Sequence, residues 1–166
     1  MANTEACVAV LTGGCQCGAV RYALYAAPED PSICHCRMCQ KAVGGPFAAL
    51  AGVQLDDLAW TGGQPAAFQS SSIVVRHFCA ACGTPLTYRD LRRERISVTI
   101  GSLDEPARVP PVRQYGLESR LAWCDALTDL PGVETEAKYA GLTSYQHPDH
   151  KVPGWQPRPP QPSENA

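Results

Sequence analysis

Apolar and polar residues alternate with a period of two in several short stretches of the chain, the signature of strands with one buried face. In GGCQCGAVRYALYA a turn leads into such a strand, where Val20, Tyr22 and Leu24 alternate with Arg21 and Ala23. RISVTIGSLD is clearer still, with Ile96, Val98 and Ile100 on one face. SSIVVRHFCAACGTPLTYRD reads as strand, knuckle and strand over 73–78, 79–83 and 86–88. GGPFAALAGV enters another strand after the break at Gly44, Gly45 and Pro46. LAWTGG and PAAFQSS are short strands around a turn at Gly62-Gly63, and VRQYGLES is a weaker one. Residues 28–31 read as a loop, 34–43 as one helical turn or a knuckle, and 130–151 as loops with a short helix over 134–138. The pattern predicts a single, mainly β domain of short antiparallel strands with few short helices over 1–151. VPGWQPRPPQPSENA, residues 152–166, reads as a Pro-rich disordered or polyproline tail.

Composition narrows the class. Fifteen prolines and fourteen glycines in 166 residues disfavour long helices. With 45% hydrophobic residues, 18% charged and a net charge of -2, the chain reads as an ordinary soluble domain. That balance gives no electrostatic reason to expect nucleic acid or an anionic membrane as partner. The start, MANTEACVAV, lacks a basic segment followed by an apolar run, and no apolar stretch has the length of a spanning helix. The expectation is therefore a cytoplasmic protein with reduced thiols.

Nine cysteines are too many and too clustered for that bland picture. Cys15 and Cys17 form C-x-C, and Cys79 and Cys82 form C-x-x-C followed by Gly83. Four thiolates at about 2.3 Å make a closed tetrahedral zinc site. Such an ion would tie the first strand to a late hairpin, and clips across long loops stabilise most. The plainest alternative treats these cysteines as small buried hydrophobes. CHCRMCQ adds Cys34, Cys36 and Cys39, three thiols where a closed site needs four. Three protein ligands suit a catalytic ion with one exchangeable position. Other readings stay open here: His35, Cys7 or Cys124 as fourth ligand, a redox disulfide, or a split of Cys15, Cys17, Cys34 and Cys36 against Cys39, Cys79 and Cys82.

Three blocks, GGCQCGAVRY, CHCRMCQKAVGGPFAAL and FCAACGTPLTY, resemble the signature of the glutathione-dependent formaldehyde-activating enzyme family, which includes centromere protein V. The likeness covers most of 12–103 and continues weakly through ESRLAWCDALTDLP. It implies a β-rich tent built on a structural zinc, shared with methionine-R-sulfoxide reductases. It implies that Cys15, Cys17, Cys79 and Cys82 hold that ion, and that Cys34, Cys36 and Cys39 hold a second, labile zinc tied to activity. The implied chemistry is that of a carbon–sulfur lyase, joining glutathione to formaldehyde, with a thiol and a small aldehyde as partners and a homodimer left open. A zinc-stabilised binding or scaffold protein of the same fold is the alternative.

In many family members a histidine precedes the SRLAW-like stretch; here Gln114 and Tyr115 stand there. Arg37, Lys41 and Arg76 are candidates for the carboxylates of glutathione, although basic surface residues are usually only solvated. His77, in the strand just before Cys79, reads as a core or supporting histidine rather than a ligand. Trp60, Phe47, Phe68, Phe78 and Trp123 read as core. Cys7 and Cys124 read as free thiols without an activating base, and HPDH at 147–150 as a solvated segment.

Overall fold

The computed structural model describes residues 8–150 and Trp155. The strands are β1 (Leu11–Gly14), β2 (Arg21–Leu24), β3 (Glu29–Cys34), β4 (Ala48–Gln54), β5 (Leu58–Gly62), β6 (Ala66–Ser71), β7 (Val74–Phe78), β8 (Pro85–Asp90), β9 (Arg95–Thr99) and β10 (Arg113–Tyr115). Among the described residues one α-helix, α1 (Arg37–Val43), follows β3, and the remaining helical pieces are 3₁₀ turns. The fold is mainly β, as the alternation predicts.

The strands form two sheets, in the orders β1-β2-β5 and β10-β3-β4-β9-β8-β7-β6. All pairs are antiparallel except β10 with β3, which run parallel and set Tyr115 opposite Cys34. That parallel pair departs from the all-antiparallel expectation. β5 and β6 flank the Gly62-Gly63 turn but belong to different sheets, so the chain crosses over there.

Residues from both sheets fill one core. Tyr22, Leu24, Leu86 and Val98 are fully buried, with Leu11, Val53, Ile96 and Leu103 in the same cluster. Tyr22 satisfies its buried hydroxyl against Ser102 Oγ at 2.8 Å. Ala23 is buried as well, because β2 is central in its sheet and both its faces are covered. Residues 28–31 are not a loop: β3 starts at Glu29. Pro31 lacks an N–H, and the ladder accommodates it with a register shift between Glu29 and Ser32.

The aromatic expectations divide. Trp60, Phe47 and Phe78 are half-buried. Phe68 is 62% exposed because β6 is an edge strand, and Trp123 is 54% exposed. Trp123 lies in a 3₁₀ segment, Ala122–Asp129, that the sequence pattern does not announce. The weak helix expected over 134–138 is a single 3₁₀ turn, Ala137–Tyr139. Among the described residues no helix is long and apolar enough to cross a membrane. Cys7 and the Pro-rich stretch lie outside the described residues, apart from Trp155.

Candidate active site

Two sulfur clusters form in different parts of the fold. Cys15, Cys17, Cys79 and Cys82 converge so that all four sulfurs lie within 4.8 Å of one another. Cys15 and Cys79 belong to the main core and are 2% and 1% exposed. Each knuckle closes on a glycine. Gly18 N–H donates to the Cys15 carbonyl at 3.0 Å, and Gly83 N–H to that of Cys79 at 2.8 Å. Both glycines have positive φ, 72° and 77°, which a side chain would strain. Cys15 Sγ accepts from Val20 N–H at 3.2 Å.

A tetrahedral zinc–sulfur site with bonds of about 2.3 Å separates its sulfurs by about 3.8 Å. The Cys15–Cys17 and Cys17–Cys79 separations are 3.5 and 3.8 Å, so the donor set fits zinc in number, chemistry and spacing.

Cys34, Cys36 and Cys39 form the second cluster, again within 4.8 Å. Among the described residues no fourth His, Cys, Asp or Glu joins them. Among the described residues the sulfurs gather as Cys15, Cys17, Cys79 and Cys82 and as Cys34, Cys36 and Cys39. Cys34 ends β3, Cys36 caps α1 and Cys39 sits in its first turn. The cap is the sulfur itself: Cys39 N–H donates to Cys36 Sγ at 3.4 Å. This cluster packs in a small satellite core with Ala48 and Leu50, apart from the main one.

The thiols within each cluster are not equivalent. Burial pushes Cys34 up to about 12, with only a Cys36 backbone N–H opposing it. For Cys36, burial is outweighed by the Cys39 N–H and the neighbouring thiols, and its pKa is lowered. In the four-sulfur cluster burial raises Cys17 to about 12. Cys82 falls to about 6, because the Thr84 hydroxyl and N–H outweigh burial. Each cluster thus pairs a thiol whose pKa is raised with one whose pKa is lowered.

A supporting network fixes the three-sulfur turn. His35 N–H donates to the Tyr115 carbonyl at 2.9 Å, and His35 Nε2 donates to Gln114 Oε1 at 2.9 Å. The His35 ring lies edge-on to Phe47 and does not join the sulfurs. Its Nδ1 is buried without a hydrogen-bond partner among the described residues. Gln40, 3% exposed, donates to the carbonyls of His35 (2.6 Å) and Ser119 (2.9 Å). Gln114 is thus a brace for His35.

The three sulfurs open onto a cleft of about 500 Å³ lined by Ser32, Leu50, Tyr88, Arg76, Arg93 and Arg95, with Glu29 and Asp30 at its acidic side. Of the three basic candidates from sequence, Arg76 alone lines this cleft, and it is buried. Arg37 and Lys41 line a separate groove with Trp123. Arg93 and Arg95 were the missed cations; the run RDLRRER between two strands was the available signal. Arg95 Nη1 donates to Glu29 at 2.6 Å. Tyr88 is held protonated, first by burial and then by the charges of Asp90 and Cys39.

The remaining candidates fall outside the cleft. His77 Nδ1 lies 2.7 Å from Thr87 Oγ1 and its ring is edge-on to Trp60, which makes it a packed strand residue. Cys124 is a half-buried free thiol that joins neither cluster. HPDH is not simply solvated. His147 N–H donates to the Gln16 carbonyl at 2.7 Å, and its ring meets Trp155, which in turn covers Gly18.

Comparison with known proteins follows the same residues. The family model described as glutathione-dependent formaldehyde-activating enzyme matches residues 10–118, about two thirds of the chain. A protein of Halomonas elongata, named provisionally as a glutathione-dependent formaldehyde-activating enzyme, is 28% identical over 159 residues, covering 90% of this chain and 96% of its own. A crystal structure of a Rhodobacter sphaeroides protein is 25% identical, with a TM-score of 0.51, and covers 62% of this chain and 98% of its own.

Proposed function

The chain belongs to the glutathione-dependent formaldehyde-activating enzyme family, and from that premise we propose that it joins a small thiol, glutathione or a close relative, to a small aldehyde such as formaldehyde. Cys34, Cys36 and Cys39 hold a labile zinc in this reading, and Cys15, Cys17, Cys79 and Cys82 hold a structural one. The observation that supports it is the contrast between the clusters: four sulfurs, two buried in the main core and two packed against it, and three lining a cleft. When bound at the three-sulfur site, zinc supplies the positive charge that lets a thiol shed its proton near neutral pH.

The protein's own residues supply the rest. Glutathione carries two carboxylates and an ammonium group. Arg93 and Arg95 are the cleft's cations for the carboxylates and Glu29 and Asp30 its anions for the ammonium, with the Arg95–Glu29 and Arg113–Asp30 ion pairs opening to receive them. The thiol sulfur forms a bond to the aldehyde carbon while the C=O π pair moves to oxygen. That oxygen takes a proton, and the thiol's proton balances the step, so nothing is oxidised or reduced. Tyr88, kept protonated in the cleft wall, holds a proton for the developing alkoxide. Three thiolates make the zinc site net anionic, which weakens it as a Lewis acid. A zinc held there would favour thiol delivery over carbonyl activation.

The test is exchange NMR on an equilibrium mixture of formaldehyde and glutathione. The zinc-loaded protein should raise the exchange rate between free and thiol-bound formaldehyde. Cys36→Ser should abolish the effect while leaving the fold intact. No acceleration by a protein carrying two zincs would overturn the reading and favour the binding or scaffold alternative.

A further inference from the structure

Arg76 sits in the middle of β7 and is only 9% exposed, an unusual place for a guanidinium. Among the described residues no carboxylate lies within ion-pair distance of it. Its partners are of another kind. Nη2 donates to Cys39 Sγ at 3.3 Å, and Nε donates to Ser70 Oγ at 3.2 Å. The guanidinium carbon lies 5.0 Å from the centroid of the Tyr88 ring, the residue directly opposite Arg76 in the β7–β8 register.

The charges complete the picture. A divalent cation held by three thiolates leaves a net charge of minus one, and a fourth, incoming thiolate would make it minus two. Uncompensated charge is costly in a partly dry site, and so is a buried guanidinium without a counter-ion. Each group is the partner the other lacks. The hydrogen bond to Cys39 also draws electron density from that sulfur, which leaves more positive charge on a metal it ligates. The fork and permanent charge of arginine suit both tasks.

We propose that Arg76 is a positioning residue for thiol uptake: its guanidinium is the counter-charge that lets a metal held by Cys34, Cys36 and Cys39 accept the sulfur of a thiol substrate as an anion. The inference rests on the three-sulfur cluster being a metal site open to thiols. It gives Arg76 a role different from carboxylate recognition, because its contact is with a ligand sulfur rather than with the cleft's outer wall.

The test compares full-length wild type, Arg76→Gln and Arg76→Lys. Zinc affinity at the weaker site is read by chelator competition, and thiol uptake by the absorption change when glutathione is added to the cobalt-substituted protein. Loss of a partner to a metal ligand typically costs about ten- to hundredfold in metal affinity. Arg76→Gln should show that loss at the weaker site, leave the tighter site unchanged, and raise the half-saturating glutathione concentration. Arg76→Lys, which keeps the charge, should recover most of both. A folded Arg76→Gln protein within about twofold of wild type in both readouts overturns the proposal. Should Arg76→Gln fail to fold, the wild type decides the matter. Cadmium loaded into the three-sulfur site should shift the Arg76 guanidinium ¹⁵N resonances and slow their proton exchange, and unchanged resonances overturn the proposal. The two levels separate cleanly. A wild type that binds a single zinc defeats the functional reading and Arg76 with it. A wild type and an Arg76→Gln protein that take up glutathione equally defeat only the role of Arg76.

Discussion

Replacing Cys79 by serine tests the four-sulfur staple. The ligands it would join are far apart in sequence: Cys17 and Cys79 are separated by 62 positions. Closing a loop of that length costs the unfolded chain roughly 4 kcal/mol of conformational entropy. Zinc binds where folding has gathered the four thiols, so its binding free energy offsets that closure cost and is partly folding free energy. Domains of this size are stable by about 5–15 kcal/mol. Losing the clip therefore removes a large fraction of the total. Cys79 is also 1% exposed, so the serine hydroxyl, a poor zinc ligand, would be left polar in the core beside Leu86 and Val98. That adds about 1–3 kcal/mol of desolvation cost. The combined loss of roughly 5 kcal/mol or more should leave Cys79→Ser unfolded or nearly so at 37 °C. Thermal and urea unfolding, with metal content measured on the same samples, is the assay. A Cys79→Ser protein with wild-type melting and wild-type zinc would refute the staple.

Other perturbations separate the parts of the account. Cys36→Ser should lose one zinc and keep its circular dichroism; collapse of the spectrum would make the three-sulfur cluster structural. Zinc uptake should release protons at pH 7.5, because Cys17 and Cys79 have raised pKa values and must give up protons to bind, whereas Cys82, near 6, is already ionised. Affinity should consequently fall as pH falls, more steeply below about 6; an indicator-dye titration showing no release contradicts this. Tyr88→Phe should lower kcat by about a hundredfold while both zincs remain, and an unchanged rate removes Tyr88 from proton transfer. Leu86→Ala should cost about 2–5 kcal/mol in urea unfolding, and a value near zero would contradict the core assignment.

The parts of this protein legible in the sequence are those set by local chemistry. C-x-C and C-x-x-C-G announce metal knuckles because short spacing and a positive-φ glycine are conditions a local turn must meet by itself. The alternation in 95–100 gives β9 because one face of that strand alone is buried. What stayed hidden depends on pairing across the chain. Pro31 reads as a loop residue until β3 is seen to carry a bulge there. Phe68 looks like core until β6 proves to be the edge of its sheet. Arg76 is indistinguishable in sequence from a solvated arginine, because its burial comes from Tyr88 opposite it and from α1 bringing Cys39 into reach. The arginines of the cleft were missed for the same reason: Arg93 and Arg95 meet Cys34 and Cys39 only through the strand order β3-β4-β9-β8.

The central claim is that the three-sulfur site accepts a guest sulfur while the four-sulfur site does not. Zinc K-edge X-ray absorption on the fully loaded protein, recorded without and with excess glutathione, addresses it directly. The account predicts that the mean number of sulfurs per zinc starts below four and rises to four when glutathione is added. A count already at four without glutathione, or a lower count that glutathione leaves unmoved, would contradict it.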